Sequence, residues 1–144
     1  MRALSLARAL IAMLDRTPYA VVGLVARLAL AKVFWSSAQT HLASWNTTLY
    51  LFANSYNVPL LPPSFAAYLA VTLEIVTPPL LLLGLGTRFA ALALLGMTAV
   101  IEIFIYPQAW PTHIQWAAMQ LILIAQGAGA WSADAFIARR IARA

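Results

Sequence analysis

The chain has no cysteine in its 144 residues. Disulfides, thiol nucleophiles, Cys-ligated zinc, thiolate-held iron–sulfur clusters and any CxxC relay are therefore excluded within this chain. Charge is also scarce. Only 9% of residues are Asp, Glu, Lys or Arg, with 4 acidic against 9 basic, where a soluble domain carries about 25%. That is too little charge to coat a soluble globule. The sequence also lacks a glycine-rich phosphate loop, a G-x-S-x-G elbow and an H-E-x-x-H pair. What it has in abundance is apolar residues, 63% of the chain, with a mean hydropathy of +0.83. Disordered chains are poor in such residues, so disorder is excluded as well.

A transmembrane helix needs roughly 20 mainly apolar residues. Four stretches qualify, at about 18–39, 64–85, 89–106 and 113–131. The fold class expected is all-α, an integral membrane four-helix bundle. Pro59, Pro62 and Pro63 break the chain before the second stretch, Gly84 to Arg88 form a tight turn after it, and Pro107 and Pro111 bracket the last turn. Arg2, Arg8, Arg16, Arg88, Arg139, Arg140 and Arg143 all fall on one side of this arrangement, while 40–63 and 107–112 contain no Lys or Arg. Both chain ends are then expected in the cytoplasm, with 134–144 as a basic tail. The net charge of +5 reads as topology and contact with anionic lipid. No nucleic-acid pattern accompanies it.

Residues 1–17 place Arg2, Ser5, Arg8, Asp15 and Arg16 on one arc and a run of Leu, Ile and Met on the other. They lack an A-x-A-like cleavage site, so the expectation is an amphipathic helix lying on the cytoplasmic interface. The outer segment 40–63 is aromatic-rich, with Trp45, Tyr50, Phe52 and Tyr56, and Tyr106, Trp110 and Trp116 lie at the same level. An aromatic belt at the headgroups explains most of this. A lid over an outward-opening cavity is the sharper reading.

Four charges fall inside the spans: Arg27, Lys32, Glu74 and Glu102. Each costs at least about 2.5–3.5 kcal/mol on insertion scales, so each is expected to face protein or a cavity and to find a partner. Placed by helical rise, Glu74 reaches Arg27 or Lys32, and Glu102 suits Lys32. Pro78 and Pro79 leave the Glu74 and Ile75 carbonyls without their usual donors, which points to a small polar cavity at mid-depth. His113 and Gln120 share a face of the fourth span. Lys32, Ser36 and Gln39 form a stripe on the first, with His41 just beyond its end. Convergence of these faces would build a ligand pocket from Arg27, Lys32, Gln39, Glu74, Glu102, His113 and Gln120, suited to a quinone headgroup or another small polar ligand. His41 and His113 have no further spaced ligands near them, so no metal site is expected.

Several segments together resemble the DoxX family of small four-span bacterial membrane proteins, which includes DoxD- and MauE-related members. They are Arg27-Leu28-Ala29-Leu30-Ala31, Ser37-Ala38-Gln39-Thr40-His41-Leu42, Val58 to Pro63, Leu73-Glu74, Gly84 to Arg88, Tyr106-Pro107, Ala109 to His113, and Gly127 to Asp134. Ala38 and His41 stand where the family usually shows Gly and Lys. Gly127-Ala128-Gly129 replaces Gly-Pro-Gly, and Lys32 and Glu102 fall at positions usually uncharged or amide. The resemblance implies redox work at the bacterial cytoplasmic membrane, usually with a protein partner. The first functional reading is a membrane subunit or accessory of a redox system, possible as part of a quinone-linked oxidoreductase but not an enzyme alone. The second is a non-enzymatic module that assists maturation or export of a periplasmic metal- or redox-protein through segment 40–63. A third, a small transporter, would need homo-oligomers, because four helices are thin for a channel.

Overall fold

The computed structural model describes residue 11 and residues 18–56 and 58–143. The expected interfacial helix over 1–17 lies outside the described residues, Ile11 apart. The described residues form helices joined by short connections, with no strand among them. Helix α1 spans Tyr19–Ala43, α2 Trp45–Asn54, α3 Pro63–Leu83 and α4 Thr87–Val100. A π-helical turn, Ile101–Ile105, continues α4. After a 3-10 turn, Pro107–Ala109, come α5, Trp110–Gln126, and α6, Ala133–Ile141. Helix α1, helix α3 and the α4–π segment Thr87–Ile105 are long and apolar enough to cross a membrane. Helix α5 has 17 residues, about 25 Å at 1.5 Å per residue. It packs beside α4 and α1 and closes the ring α1–α3–α4–α5.

Local chemistry sets the boundaries. Ser44 caps α2 by accepting from the Thr47 amide at 3.4 Å. Pro62 and Pro63 open α3, where a missing N–H does no harm, and Gly84 closes it in the left-handed conformation at φ 67°. Helix α3 runs through Pro78 and Pro79 without ending, and the Thr77 hydroxyl donates to the Leu73 carbonyl at 2.7 Å on the same stretch. Helix α4 has no local side-chain cap. Its cap comes from far along the chain: the Asp134 carboxylate accepts from the amides of Gly86 at 2.8 Å and Thr87 at 3.0 Å. A carboxylate at a helix N-terminus satisfies orphan donors and complements the helix dipole. The tail expected over 134–144 is largely a helix, α6, capped by Ser132 and carrying Arg139 and Arg140 in its last turn.

The end of the ring holding Tyr19, the Gly84–Arg88 turn and α6 is called the lower end below, and the end holding α2 the upper end. In the lower and middle part, Leu30, Phe34, Leu81, Leu94 and Leu123 form the main core. A second cluster, Phe52, Ala66 and Ala67, joins α2 to α3 at the top. The outward faces are apolar too: Val25, Leu28, Phe89, Leu92 and Ile103 are all exposed. A ring of helices apolar inside and outside is matched to lipid, not to water.

Candidate functional site

Two polar networks occupy the ring, at different levels. The lower one centres on Arg27, which is 1% exposed. Its Nη1 donates to the carbonyls of Leu81 at 3.3 Å and Leu82 at 3.5 Å, and its Nη2 to the Trp131 carbonyl at 2.6 Å. Leu81 and Leu82 are in the last turn of α3, where unpaired carbonyls form the negative end of the helix dipole. A buried guanidinium therefore finds its counter-charge in backbone. Gly84 makes room for this, since a Cβ there would collide with Arg27 Nη1. The Tyr19 hydroxyl donates to the Gly127 carbonyl at 2.7 Å and ties the start of α1 to the end of α5.

The upper network surrounds a cavity of about 380 Å³. Glu74, 1% exposed, forms its polar floor. One carboxylate oxygen accepts from the Ser37 hydroxyl at 2.7 Å, and the other lies 2.8 Å from His41 Nδ1. Across the cavity, His113 Nδ1 lies 2.6 Å from a Glu102 carboxylate oxygen. Both imidazoles line the cavity. Each is gripped at Nδ1, which fixes the ring's orientation and leaves Nε2 for a ligand. The remaining wall is mostly apolar, including Phe34, Phe52, Leu73, Met97 and Trp116. At the upper rim the Tyr106 hydroxyl donates to the Tyr56 hydroxyl at 3.2 Å, and the two rings stack edge-on at 5.7 Å. Burial, the hydrogen bond with Tyr106 and the negative charge that Tyr106 and Glu74 can carry push the Tyr56 phenol up to about 12.

The expected pairings change. Glu74 meets neither Arg27 nor Lys32, because α1 and α3 are out of register. Arg27 is 8 residues above the start of α1 yet bonds within the last turn of α3, so α1 begins roughly 10 Å lower than α3 ends. That shift brings Ser37 and His41 level with Glu74. Helix α1 also continues to Ala43, so His41 is a helical residue and not a loop one. Lys32 and Gln39 are exposed on the outer face of α1, and Lys32 forms no ion pair among the described residues. Glu102, expected opposite Lys32, pairs with His113. Gln120 is fully buried and donates to the Thr98 hydroxyl at 3.0 Å, apart from the cavity wall. The structure thus gathers Glu74 and His113 at the cavity and adds His41 and Ser37, while Glu102, partly exposed, stands behind His113 and does not line the cavity. It puts Arg27 and Gln120 in other parts of the interior and turns Lys32 and Gln39 outward.

Among the described residues no cluster of three metal-type ligands occurs. A bundle with apolar outer faces, membrane-length helices and an internal, mostly apolar cavity with a few buried polar groups defines a multi-pass membrane protein. The family model DoxX matches residues 22–107. The chain belongs to the DoxX family. The matched stretch contains Arg27, His41, Glu74 and Glu102 but ends before α5, which carries His113 and Gln120. No curated protein and no solved structure matches the chain.

Proposed function

We propose that this DoxX-family protein is a membrane subunit or accessory of a redox system in the bacterial cytoplasmic membrane, and that its upper cavity holds a quinone headgroup. The observation that carries the reading is the pair of histidines facing one apolar cavity, each held at Nδ1 by a carboxylate. Cavities for small ligands are of about 300–1,000 Å³, apolar, with a few placed polar groups. This one fits a substituted ring bearing two oxygens. A doubly protonated imidazole donates from Nε2 to a quinone carbonyl oxygen, and a neutral one with Nδ1–H on the glutamate accepts at Nε2 from a quinol hydroxyl. His41 and His113 can therefore hold a proton at Nε2 or take one there, with Glu74 and Glu102 compensating the charge. With no cysteine in the chain, thiol or iron–sulfur chemistry would belong to a protein partner.

Arg88, Arg139 and Arg140 all lie at the lower end, which supports placing that end in the cytoplasm and the cavity in the outer half of the bilayer. The test is extraction of the purified protein for co-isolated quinone, followed by quinone titration of Glu74→Gln and His113→Gln. Each variant is expected to bind at least about tenfold more weakly, the loss of a buried hydrogen bond to a charged group. Unchanged affinity in both would overturn the reading. Absence of bound quinone, together with crosslinking of a partner through α2, would favour the maturation or export role.

A further inference from the structure

The cavity is not walled equally on all sides. Residues on its inner walls, Phe34, Phe52, Glu74 and His113, are buried. Its wall between α3 and α4 is different. Leu69 on α3 lines the cavity and is 43% exposed, and Gly96 on α4 lines it and is exposed as well. Leu73 and Val100, one turn from each, are partly exposed. Counted from the upper ends of these antiparallel helices at 1.5 Å per residue, Leu69 is level with Val100 at roughly 8 Å depth, and Leu73 with Gly96 at roughly 14 Å. The four residues frame a vertical slot that faces the surrounding lipid. Gly96 contributes no side chain to it, and a Cβ built there meets nothing within 4 Å. Along α4, Gly96 falls in the lipid-facing stripe with Leu92, Ala99 and Ile103, all exposed. The top is spanned by α2 and the Tyr56–Tyr106 pair, and Tyr106, which also lines the cavity, is 42% exposed. What sets the α3–α4 side apart is that its exposed lining carries no polar group, while the top carries two hydroxyls.

From this asymmetry, and resting on the quinone reading above, we infer that the cavity is loaded sideways from the bilayer through the Leu69–Leu73/Gly96–Val100 slot, and that its ligand is a ring carrying a long hydrocarbon chain which leaves through the notch at Gly96. Every slot residue is apolar or lacks a side chain, which suits a chain and not a polar group. The slot opens at a depth where acyl chains would meet it, so the ligand's chain stays in hydrocarbon while its ring reaches His41 and His113. A ring without a chain would fill the cavity and leave the slot unused.

The experiment compares decylubiquinone with its chain-free ring analogue on the full-length protein in nanodiscs, for wild type, Gly96→Leu and Ala99→Leu. Ala99 shares the lipid-facing stripe but does not line the cavity, so its variant controls for altered partitioning. Gly96→Leu is expected to weaken decylubiquinone by about tenfold or more, as the leucine takes the space of several methylenes, while the chain-free ring binds within about twofold of wild type and Ala99→Leu matches wild type for both. Equal weakening of both ligands, or of neither, would overturn the slot while leaving a quinone site in place. Failure of wild type to bind either ligand would instead remove the quinone reading and the slot with it. Leucine at Gly96 adds helix propensity and meets no neighbour at Cβ. Should the variant nonetheless unfold, Val100→Phe narrows the same slot and is read by the same pattern.

Discussion

Arg27 donates to three carbonyls from two distant segments, so its loss would strip partners from backbone that water cannot reach. Arg27→Met should destabilise the protein by about 3 kcal/mol, with hydrogen bonds to charged groups at 1.5–3 kcal/mol each offset by partial relaxation, and thermal unfolding in detergent would show it as a lowered Tm. Arg27→Lys should recover only part, because one ammonium cannot reproduce the fork that spans Leu81 and Trp131. Lys32 presents the opposite case, a cation on the outer face of a membrane-length helix. Lys32→Leu should favour insertion of α1 by about 2–3 kcal/mol in a translocon assay, and no change would show that the ammonium already reaches the interface. The rule that a charge in an apolar helix must find a polar neighbour holds for the buried Arg27 and Glu74, but the same rule applied to Lys32 meets a residue that is exposed, and applied to Glu102 one that is only partly covered. Sequence did not identify the partners. Backbone carbonyls at a helix end leave no mark in a residue pattern, and α1 is apolar nearly all round, so periodicity could not tell whether the face of Arg27 or that of Lys32 and Gln39 points inward.

The turns and caps join elements far apart in sequence. Asp134→Ala should remove the α4 cap at a cost of about 1–2 kcal/mol. Amide exchange should rise around Gly86 and Thr87 and along 127–135, with quinone affinity at the upper end unaltered. The upper latch is a titrating one. The Tyr56 phenol is held at about 12 in the folded protein, above its ordinary value of 10.0, so folding favours its neutral form. Its contribution to stability is complete below pH 10 and is lost as pH rises through about 12. A spectroscopic alkaline titration should show Tyr56 among the late-ionising tyrosines, and Tyr106→Phe should move it down by removing the hydrogen bond and one neighbouring charge. At this scale prolines and glycines stand at several of the helix breaks, with Pro62 and Pro63 at the start of α3, Gly84 at its end and Gly127 after α5. The short helix α2 inside 40–63, and the π-helical turn that carries Glu102 toward His113, were not foretold. A π-turn fits one additional residue without changing composition, so nothing in the residue pattern announces it.

Across the whole molecule, the all-helical membrane class follows directly from composition, while the two-level interior does not. The expected single set of cancelling charges is split into a lower backbone-bound guanidinium and an upper pair of imidazole–carboxylate contacts, because α1 sits about two turns below the register assumed for it. Charge removal at the two levels should therefore be separable. Arg27→Met should lower the Tm and leave the cavity able to bind, whereas Glu74→Gln should impair binding with a smaller effect on the Tm.

The stitches at the lower end also bear on how the chain could be made in pieces. Helix α5 and the segment after it bring their own fasteners: Gly127 to Tyr19, Trp131 to Arg27, and Asp134 to the start of α4. None of these runs through the connection at Pro107–Ala109. A gene divided there, with both halves co-expressed in one cell, should yield a non-covalent heterodimer that co-purifies, and Asp134→Ala in the smaller half should make that reassembly fail first.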